Sequence, residues 1–496
     1  MATVARVAVV GAGVGGLAAA IRLAALGHRV CVLEAGPAAG GKCGRVRRGA
    51  FTWDSGPSLL TMPWVLEALF ADTGAPLADT LELLPVEPVT RYRFADGTRV
   101  ELSADLERSR AALDAWRPGA GDEWTAFMAT CAAMWRASEA VLAGPAPWPP
   151  RRPRPGEPRP GPLDLLRVKP WWTLRQLARA HTADPRLQMV IERFATYAGA
   201  DPRQAPAALA VAGYVEHAWG AWHPRGGLYA LVQALAARLE ALGGELRLNA
   251  PVRRIVTRPA ALPAPLRGAP ARAIGRRRRA VRGVELDDGL LEADTVVAAV
   301  DAEAVHHDLL GRSLPVRERS VSGLALMLGL RGRTPELVHH DITFPADYDA
   351  EFDDVFVHRR PVRDPTVYVS ASCATDPSEA PPDAENWFVL VNAPAVGGGA
   401  AWEGEADRIV DRLGVGERVV ERVLRTPADL ERETGAVAGA IYGVAPHGRL
   451  GTLRKPPATV RGIRGLWLAG GTVHPGGGLP LVVLGAATTA RAIGPA

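Results

Sequence analysis

The run Gly11-Ala12-Gly13-Val14-Gly15-Gly16 has the spacing G-x-G-x-x-G, and the chemistry that this spacing serves is the holding of a pyrophosphate. Gly11 permits a tight turn, Gly13 lets phosphates approach the backbone, and Gly16 lets a helix pack closely on a strand. The start of that helix offers free N–H groups and the positive end of its dipole to the phosphates. Glu34 follows about 20 residues on, where a carboxylate accepts from ribose hydroxyls, and an acid there disfavours a 2′-phosphate. A packing turn followed by a surface glutamate would explain the glycines but not their place between a strand and a helix.

Beyond Glu34 the chain runs through Ala35-Gly36, Gly40-Gly41-Lys42, Arg45 and Asp54-Ser55-Gly56-Pro57-Ser58. A second glycine pair lets the backbone pass close to a bulkier nucleotide, and Lys42 or Arg45 can offset phosphate charge. Near the other end, Gly470-Gly471 opens another glycine-rich turn. His474-Pro475 within it invites a reading of His474 as a base, against one in which Pro475 shapes the turn and His474 makes a structural hydrogen bond. The pair His339-His340 has no carboxylate at helical ligand spacing, so a packing role is expected and no metal. Asp353-Asp354 reads as a solvated turn, and Gly397-Gly398-Gly399, with no acid downstream, as a loop.

These residues need elements to position them. Arg6 to Val10 is a short β-branched run before the first glycine turn, a helical pattern follows through Leu17, Ile21 and Ala24, and Val30 to Leu33 is a second strand. Leu231, Leu235 and Leu239 share one helix face, and strands are expected at 246–248, 252–256, 281–286, 295–300 and 465–469, with a closing helix from about Val482 to Ile493. The nucleotide-binding pieces thus fall at 1–65, 225–301 and 464–496, and the intervening 66–224 and 302–463 build a substrate domain. Two segments rich in Pro and Arg, 148–162 and 258–279, read as mobile loops. In the stretch from Leu163 to Leu177, Trp171, Trp172 and leucines alternate with Arg167, Lys169 and Arg175, as in an interfacial helix, although Pro170 interrupts it and a buried helix is the rival reading.

The order GxGxxG, Glu, then GG[RK] and Arg resembles that of the amine oxidase/carotenoid desaturase superfamily of flavoproteins. The run from Trp467 to Pro480, with Ala469-Gly470-Gly471-Thr472-Val473-His474-Pro475-Gly476-Gly477-Gly478 at its centre, is similar to the C-terminal signature of bacterial-type phytoene and carotenoid desaturases. Arg193-Phe194-Ala195-Thr196-Tyr197-Ala198-Gly199, Gly226-Gly227-Leu228, His339-His340 through Asp354, Ala374 to Ser378 and Val391 to Pro394 extend the likeness over nearly the whole chain. Hydroxycarotenoid 3,4-desaturases carry a similar version of the signature. The resemblance implies an α/β architecture, a Rossmann-like FAD-binding domain with an inserted α+β substrate domain. It implies FAD as cofactor, with Gly470 and Gly471 at its pyrophosphate and ribityl chain, Leu479, Pro480, Leu481 and Val482 by the flavin ring, and the Val252 main chain at adenine. Many relatives in the wider superfamily have an acid where Gly471 stands, and desaturases often lack it. The implied activity is dehydrogenation of a long apolar polyene, a carotenoid or its precursor, by hydride transfer to flavin N5. A carotenoid isomerase, a terminal oxidase, a flavin amine oxidase and a noncatalytic flavin-binding delivery protein share these motifs and stay as alternatives. With no second G-x-G-x-x-G turn, oxygen or a quinone is the expected electron acceptor rather than a nicotinamide.

Composition sets the bounds. A chain of 496 residues, 48% hydrophobic, builds a sizeable core and more than one domain. A net charge of +5 is compatible with an anionic membrane surface and too small to argue for nucleic acid. Four scattered cysteines offer no disulfide framework or zinc site and fit a reducing cytosol. The apolar run after Arg6 imitates a signal peptide, but its glycine spacing is better explained by the nucleotide turn. With no long uninterrupted apolar stretch, the expected location is cytoplasmic, peripheral to the inner face of the membrane.

Overall fold

A computed structural model describes residues 4–147, 161–260, 279–315, 317–397 and 401–496. Its first body is built on a parallel sheet. The Arg6–Val10 strand lies at the centre, with Arg29–Leu33 and Glu245–Arg247 on one side and Thr295–Ala298 and Leu466–Leu468 on the other. Val9 is registered with both Val32 and Val297. Both faces are covered, which is why these strands read as nearly unbroken β-branched runs rather than alternating ones. The helices Val14–Ala25, Tyr229–Ala241 and Leu479–Ile493 cover one face, packing Leu17, Ile21, Leu235 and Val483 into one core. The other face meets an antiparallel layer of Arg254–Pro259, Arg279–Leu286 and Gly289–Glu292, and Val10, Leu33, Val284 and Leu468 form the core between them.

The second body is a mixed seven-stranded sheet. Its order is Val419–Arg425, Ser322–Arg331, Ala384–Ala393, Val367–Ser370, His340–Thr343, Thr90–Arg93 and Arg99–Leu102. A helical layer stands against it, formed by Leu106–Trp116, Ala120–Leu142, Leu174–His181, Pro185–Glu192 and Val211–Trp219, with Trp124, Phe127, Leu177 and Ile191 packed together with Phe344 and Phe352. The α/β architecture expected from the sequence is the one observed.

Several boundaries move. The core of the first body includes Leu66, Leu69 and Phe70 of the Trp64–Ala71 helix, and its other face includes Ala302, Val305 and Leu309, so packing continues past both 65 and 301. The closing helix starts at Leu479 rather than near Val482, because Gly478, at φ +105°, turns the chain and Pro480 fits the first turn. Val252 lies two residues before the Arg254–Pro259 strand, not within one. The two loops expected at 148–162 and 258–279 lie largely outside the described residues. At their edges, Pro162 opens the Pro162–Arg167 helix, while Arg258 and Pro259 pair with Ala280 and Arg279 in a hairpin. Of the Gly397–Gly399 loop only Gly397 is described. Asp354 is not solvated: it is buried and held by Arg360 and Arg363, which compensate its charge. Asp353 pairs with Arg203.

Candidate active site

The glycines of the first turn do two different jobs. A Cβ on Gly16 would stand 2.1 Å from the Gly11 carbonyl oxygen, so packing alone demands glycine there. A Cβ on Gly13 would meet nothing nearer than the Gly40 carbonyl oxygen at 3.9 Å. The space before Gly13, at the N-cap of Val14–Ala25, is therefore open to a ligand and would be filled by a side chain. Gly11 takes φ +95°, which a side chain rarely tolerates. Gly15 joins this turn to the last one, since its Cβ would lie 3.0 Å from the Gly470 Cα.

The Glu34 carboxylate accepts from the backbone N–H of Ala12 at 2.8 Å and of Gly36 at 2.9 Å, which fixes it beside the turn. Ala250 N–H donates to the Glu34 carbonyl and Asn249 N–H to that of Gly36, bringing the approach to Val252 alongside Glu34 and exposed Ala35. Gly40 N–H donates to Ala12, and Gly41 follows with its Cβ position 3.5 Å from the Gly13 Cα. Glu34, the Val252 segment and the turns at Gly13 and Gly40–Gly41 thus converge on one groove.

Lys42 and Arg45 diverge from each other. Lys42 donates to the carbonyls of Ala440 and Ile441 at 3.3 and 2.5 Å, while Lys455 donates to those of Tyr442 and Val444. Burial lowers each lysine to about 8, against the pull of the Asp301 carboxylate. Arg45 lies over the Tyr229 ring at 4.6 Å. Gly56 is a packing glycine, its Cβ position 1.8 Å from the Lys42 carbonyl oxygen, and Pro57 and Ser58 continue from it into a cavity.

That cavity has a volume of about 450 Å³ and lies between the two bodies. Leu479, Pro480 and Leu481 at the start of the final helix form one wall, as do Gly476 to Gly478. Val141 and Leu142 of the long helix, Leu209, Val215, Leu390 and Ile441 make much of it oily. Val482, one residue further on, packs toward Gly15 and Gly471. Gly470, at φ +98°, has no side chain crowding its Cβ position, and Gly471 faces Gly477 at 3.4 Å.

His474 also lines the cavity, but its Nε2–H donates to the Val141 carbonyl at 2.9 Å, tying the C-terminal turn to the long helix. Burial holds it below the ordinary histidine range. His339 and His340 are buried with rings 4.4 Å apart, and His340, lowered by burial to about 4, donates Nδ1–H to the Val89 carbonyl at 2.8 Å. Among the described residues, His223, Asp376 and Glu379 have ligand-type atoms within 4.8 Å of one another. Their groups are already engaged: Asp376 accepts from Gly226 and Ser378, and Glu379 from Ser372 and His223.

Reasoning on residue types did not find the polar group in the cavity wall. Arg193 stands over the rings of Tyr197, Tyr368 and Tyr92, at 5.1, 5.8 and 6.0 Å from their centres. Tyr197 donates to the Glu216 carboxylate at 2.5 Å, and Ser58 is hydrogen-bonded to Tyr368. The sequence signal was the Arg193 to Tyr197 run, noticed for its likeness and not for a role.

The family described as flavin containing amine oxidoreductase matches residues 14–326. The hydroxyneurosporene desaturase of Rhodobacter capsulatus is 34% identical, over 98% of this chain and 97% of its own. The 4,4'-diapolycopene oxygenase of Methylomonas sp is 32% identical, over 97% of this chain and 96% of its own. Among solved structures, cyclohexylamine oxidase from Brevibacterium oxydans IH-35A shares the fold, with a TM-score of 0.61 at 16% identity, covering 99% of this chain and 100% of that one. An open groove at Gly13, the Glu34 carboxylate beside it and an oily cavity against the last helix agree with that kinship: the chain belongs to the carotenoid desaturase family within the FAD-dependent amine oxidoreductases.

Proposed function

We propose that the chain desaturates a long polyene of the carotenoid class, taking it lengthwise into the cavity beside FAD. The observation that carries this reading is a largely oily cavity reaching from Leu479–Leu481 to the half-buried Val168 and Pro170. In this reading Gly11, Gly13, Gly15, Gly16, Gly470 and Gly471 hold the pyrophosphate side of FAD, Glu34 and Ala35 the ribose, and the Val252 main chain the adenine. Arg45 offsets phosphate charge, Lys42 orders the Ala440–Ile441 backbone under the cavity, and Gly41, Gly56, Pro57 and Ser58 shape the approach to the ring. When bound, FAD supplies the hydride acceptor at N5. Free N–H groups at the start of Leu479–Ile493 stabilise negative charge near the ring. The oily side chains align the polyene. His340 and His474 stay neutral, and the proton leaves to water. The electron acceptor is oxygen or a quinone.

Entry is from a membrane surface. Leu163, Leu166 and Trp171 are 65%, 53% and 47% exposed, next to Arg167 and Lys169, and Asp164, Val168 and Pro170 of the same segment line the cavity. Leu174 and Leu177, by contrast, are buried, so the apolar segment is divided at Pro170 between a surface helix and a core one. No helix among the described residues is long and apolar enough to cross a membrane.

Purified yellow protein incubated without oxygen with polyenes in lipid vesicles tests the reading. Bleaching of the flavin, with a product lighter by two hydrogens, is the expected result. An unchanged mass indicates an isomerase, and an oxygen added in a parallel incubation under air an oxygenase, the activity for which the Methylomonas relative is named. Flavin that stays oxidised with every polyene tested ends the proposal.

A further inference from the structure

Much of the cavity is apolar, with Asp164, His340, Asn392, Arg449 and Lys455 among its polar lining, and in one part of the wall Arg193, Tyr197, Glu216, Tyr368 and Ser58 gather. A guanidinium carries five N–H donors and no acceptor, and it loses its hydration when enclosed. Arg193 donates from Nη1 to the Tyr197 phenol oxygen at 3.3 Å and is also hydrogen-bonded to the Tyr92 phenol, and among the described residues it forms no ion pair with a carboxylate. The Tyr92, Tyr197 and Tyr368 rings also attract the cation through their faces. These contacts leave part of the five donors free for the cavity that Arg193 lines.

What would satisfy them is an acceptor carried by the occupant. Tyr197 bridges Arg193 and Glu216, donating its proton to the carboxylate while accepting from the guanidinium. One cation and one carboxylate share the cluster, so a carboxylate on the ligand would meet Glu216 and an ammonium would meet Arg193. A neutral oxygen meets neither penalty. We propose that Arg193, oriented by Tyr197 and Glu216, is the specificity-determining residue that takes a hydroxyl, ether or carbonyl oxygen at one end of the polyene. This rests on the polyene reading above and narrows it from hydrocarbon to oxygenated chain. A hydrocarbon end placed there leaves the guanidinium dehydrated and unpaired, which discriminates more sharply than any extra apolar contact.

The test uses two polyenes of equal length and unsaturation, one a hydrocarbon and one with a terminal hydroxyl. Binding is read from the shift of polyene absorption on the oxidised holoprotein, and reaction separately from anaerobic flavin bleaching. The wild type is expected to bind the hydroxylated chain more tightly, and Arg193→Met to lower that preference, as the ratio of the two Kd values, about tenfold or more, the usual weight of a charge-assisted hydrogen bond. Tyr197→Phe removes only the orienting hydroxyl and should lower the ratio in the same direction by less. If Arg193→Met fails to hold flavin, Tyr197→Phe carries the test alone. A wild type with no preference, or a ratio that neither variant moves, overturns the assignment. Failure of flavin bleaching while the binding preference persists sinks the desaturation reading and leaves this one standing.

Discussion

Gly15 and Gly470 touch: a Cβ on the first would sit 3.0 Å from the Cα of the second. The two glycine turns, almost a chain length apart, therefore form one continuous backbone surface. Any side chain at Gly15 pries that surface open. Gly15→Val is expected to lose bound flavin, with a fall in stability of about 1–3 kcal/mol from overpacking, read by absorbance and thermal melting.

Gly13 and Gly16 separate binding from folding. Gly13→Glu has room for its side chain and places an anion where phosphates would lie, so it should fold and be colourless. Gly16→Ala collides with the Gly11 carbonyl oxygen, so it should lose about 3 kcal/mol or more and melt early. A yellow Gly13→Glu protein with normal flavin content refutes the cofactor assignment.

His474 should prove a tether. His474→Ala breaks the bond to the Val141 carbonyl and is expected to cost about 1–2 kcal/mol, with single-turnover flavin bleaching reduced only severalfold. A loss of about a hundredfold or more in that rate, at unchanged stability, would instead mark it as a base.

Asp54 gives the protein a pH response of unusual sign. Its buried carboxylate accepts from Leu228 and Tyr229 N–H, yet burial, together with Glu379, pushes it up to about 6 from an ordinary 3.8. The native chain then holds a proton that the unfolded chain has released, so this group's contribution falls as pH rises from about 4 to 6 and is constant above. Denaturant titrations of wild type and Asp54→Asn across that range should show the variant gaining relative stability with pH, on the order of 3 kcal/mol in all. Parallel curves would contradict the shift.

Lys42 and Lys455 act at the other end of the scale. Burial lowers both to about 8, so the unfolded chain binds more protons above that pH and stability rises toward pH 10.5. Lys455→Met should flatten that rise, measured by melting between pH 8 and 10.

The membrane surface reading predicts that Leu166→Glu with Trp171→Glu abolishes sedimentation with anionic vesicles while flavin content is unchanged. Undiminished sedimentation would place the docking surface elsewhere.

Local rules reached the parts of the molecule that chemistry writes locally. Gly11 to Gly16, Glu34 and the strands beside them follow from steric and dipole constraints within a few residues of one another, and so they were legible. Arg193, Glu216 and Tyr368 were not, because their meaning arises only when the sheet, the helical layer and the Ser58 turn enclose a common space. Asp354 failed for a related reason. A pair of aspartates ordinarily signals a solvated turn, and only the return of Arg360 and Arg363 from the following loop makes burial tolerable. Val252 and Leu479 show the usual drift of element ends, here set by a backbone link to Glu34 and by the φ of Gly478.

The parallel sheet has a consequence for biosynthesis. Its Arg6–Val10 strand is made long before its neighbour Thr295–Ala298, and longer still before Leu466–Leu468. Until then the strand, paired on one side with Arg29–Leu33, keeps its other edge open, and the groove at Gly13 lacks the Gly470 turn. Completion of that surface therefore waits on segments far along the chain, and the open edge is exposed to wrong pairing in the meantime.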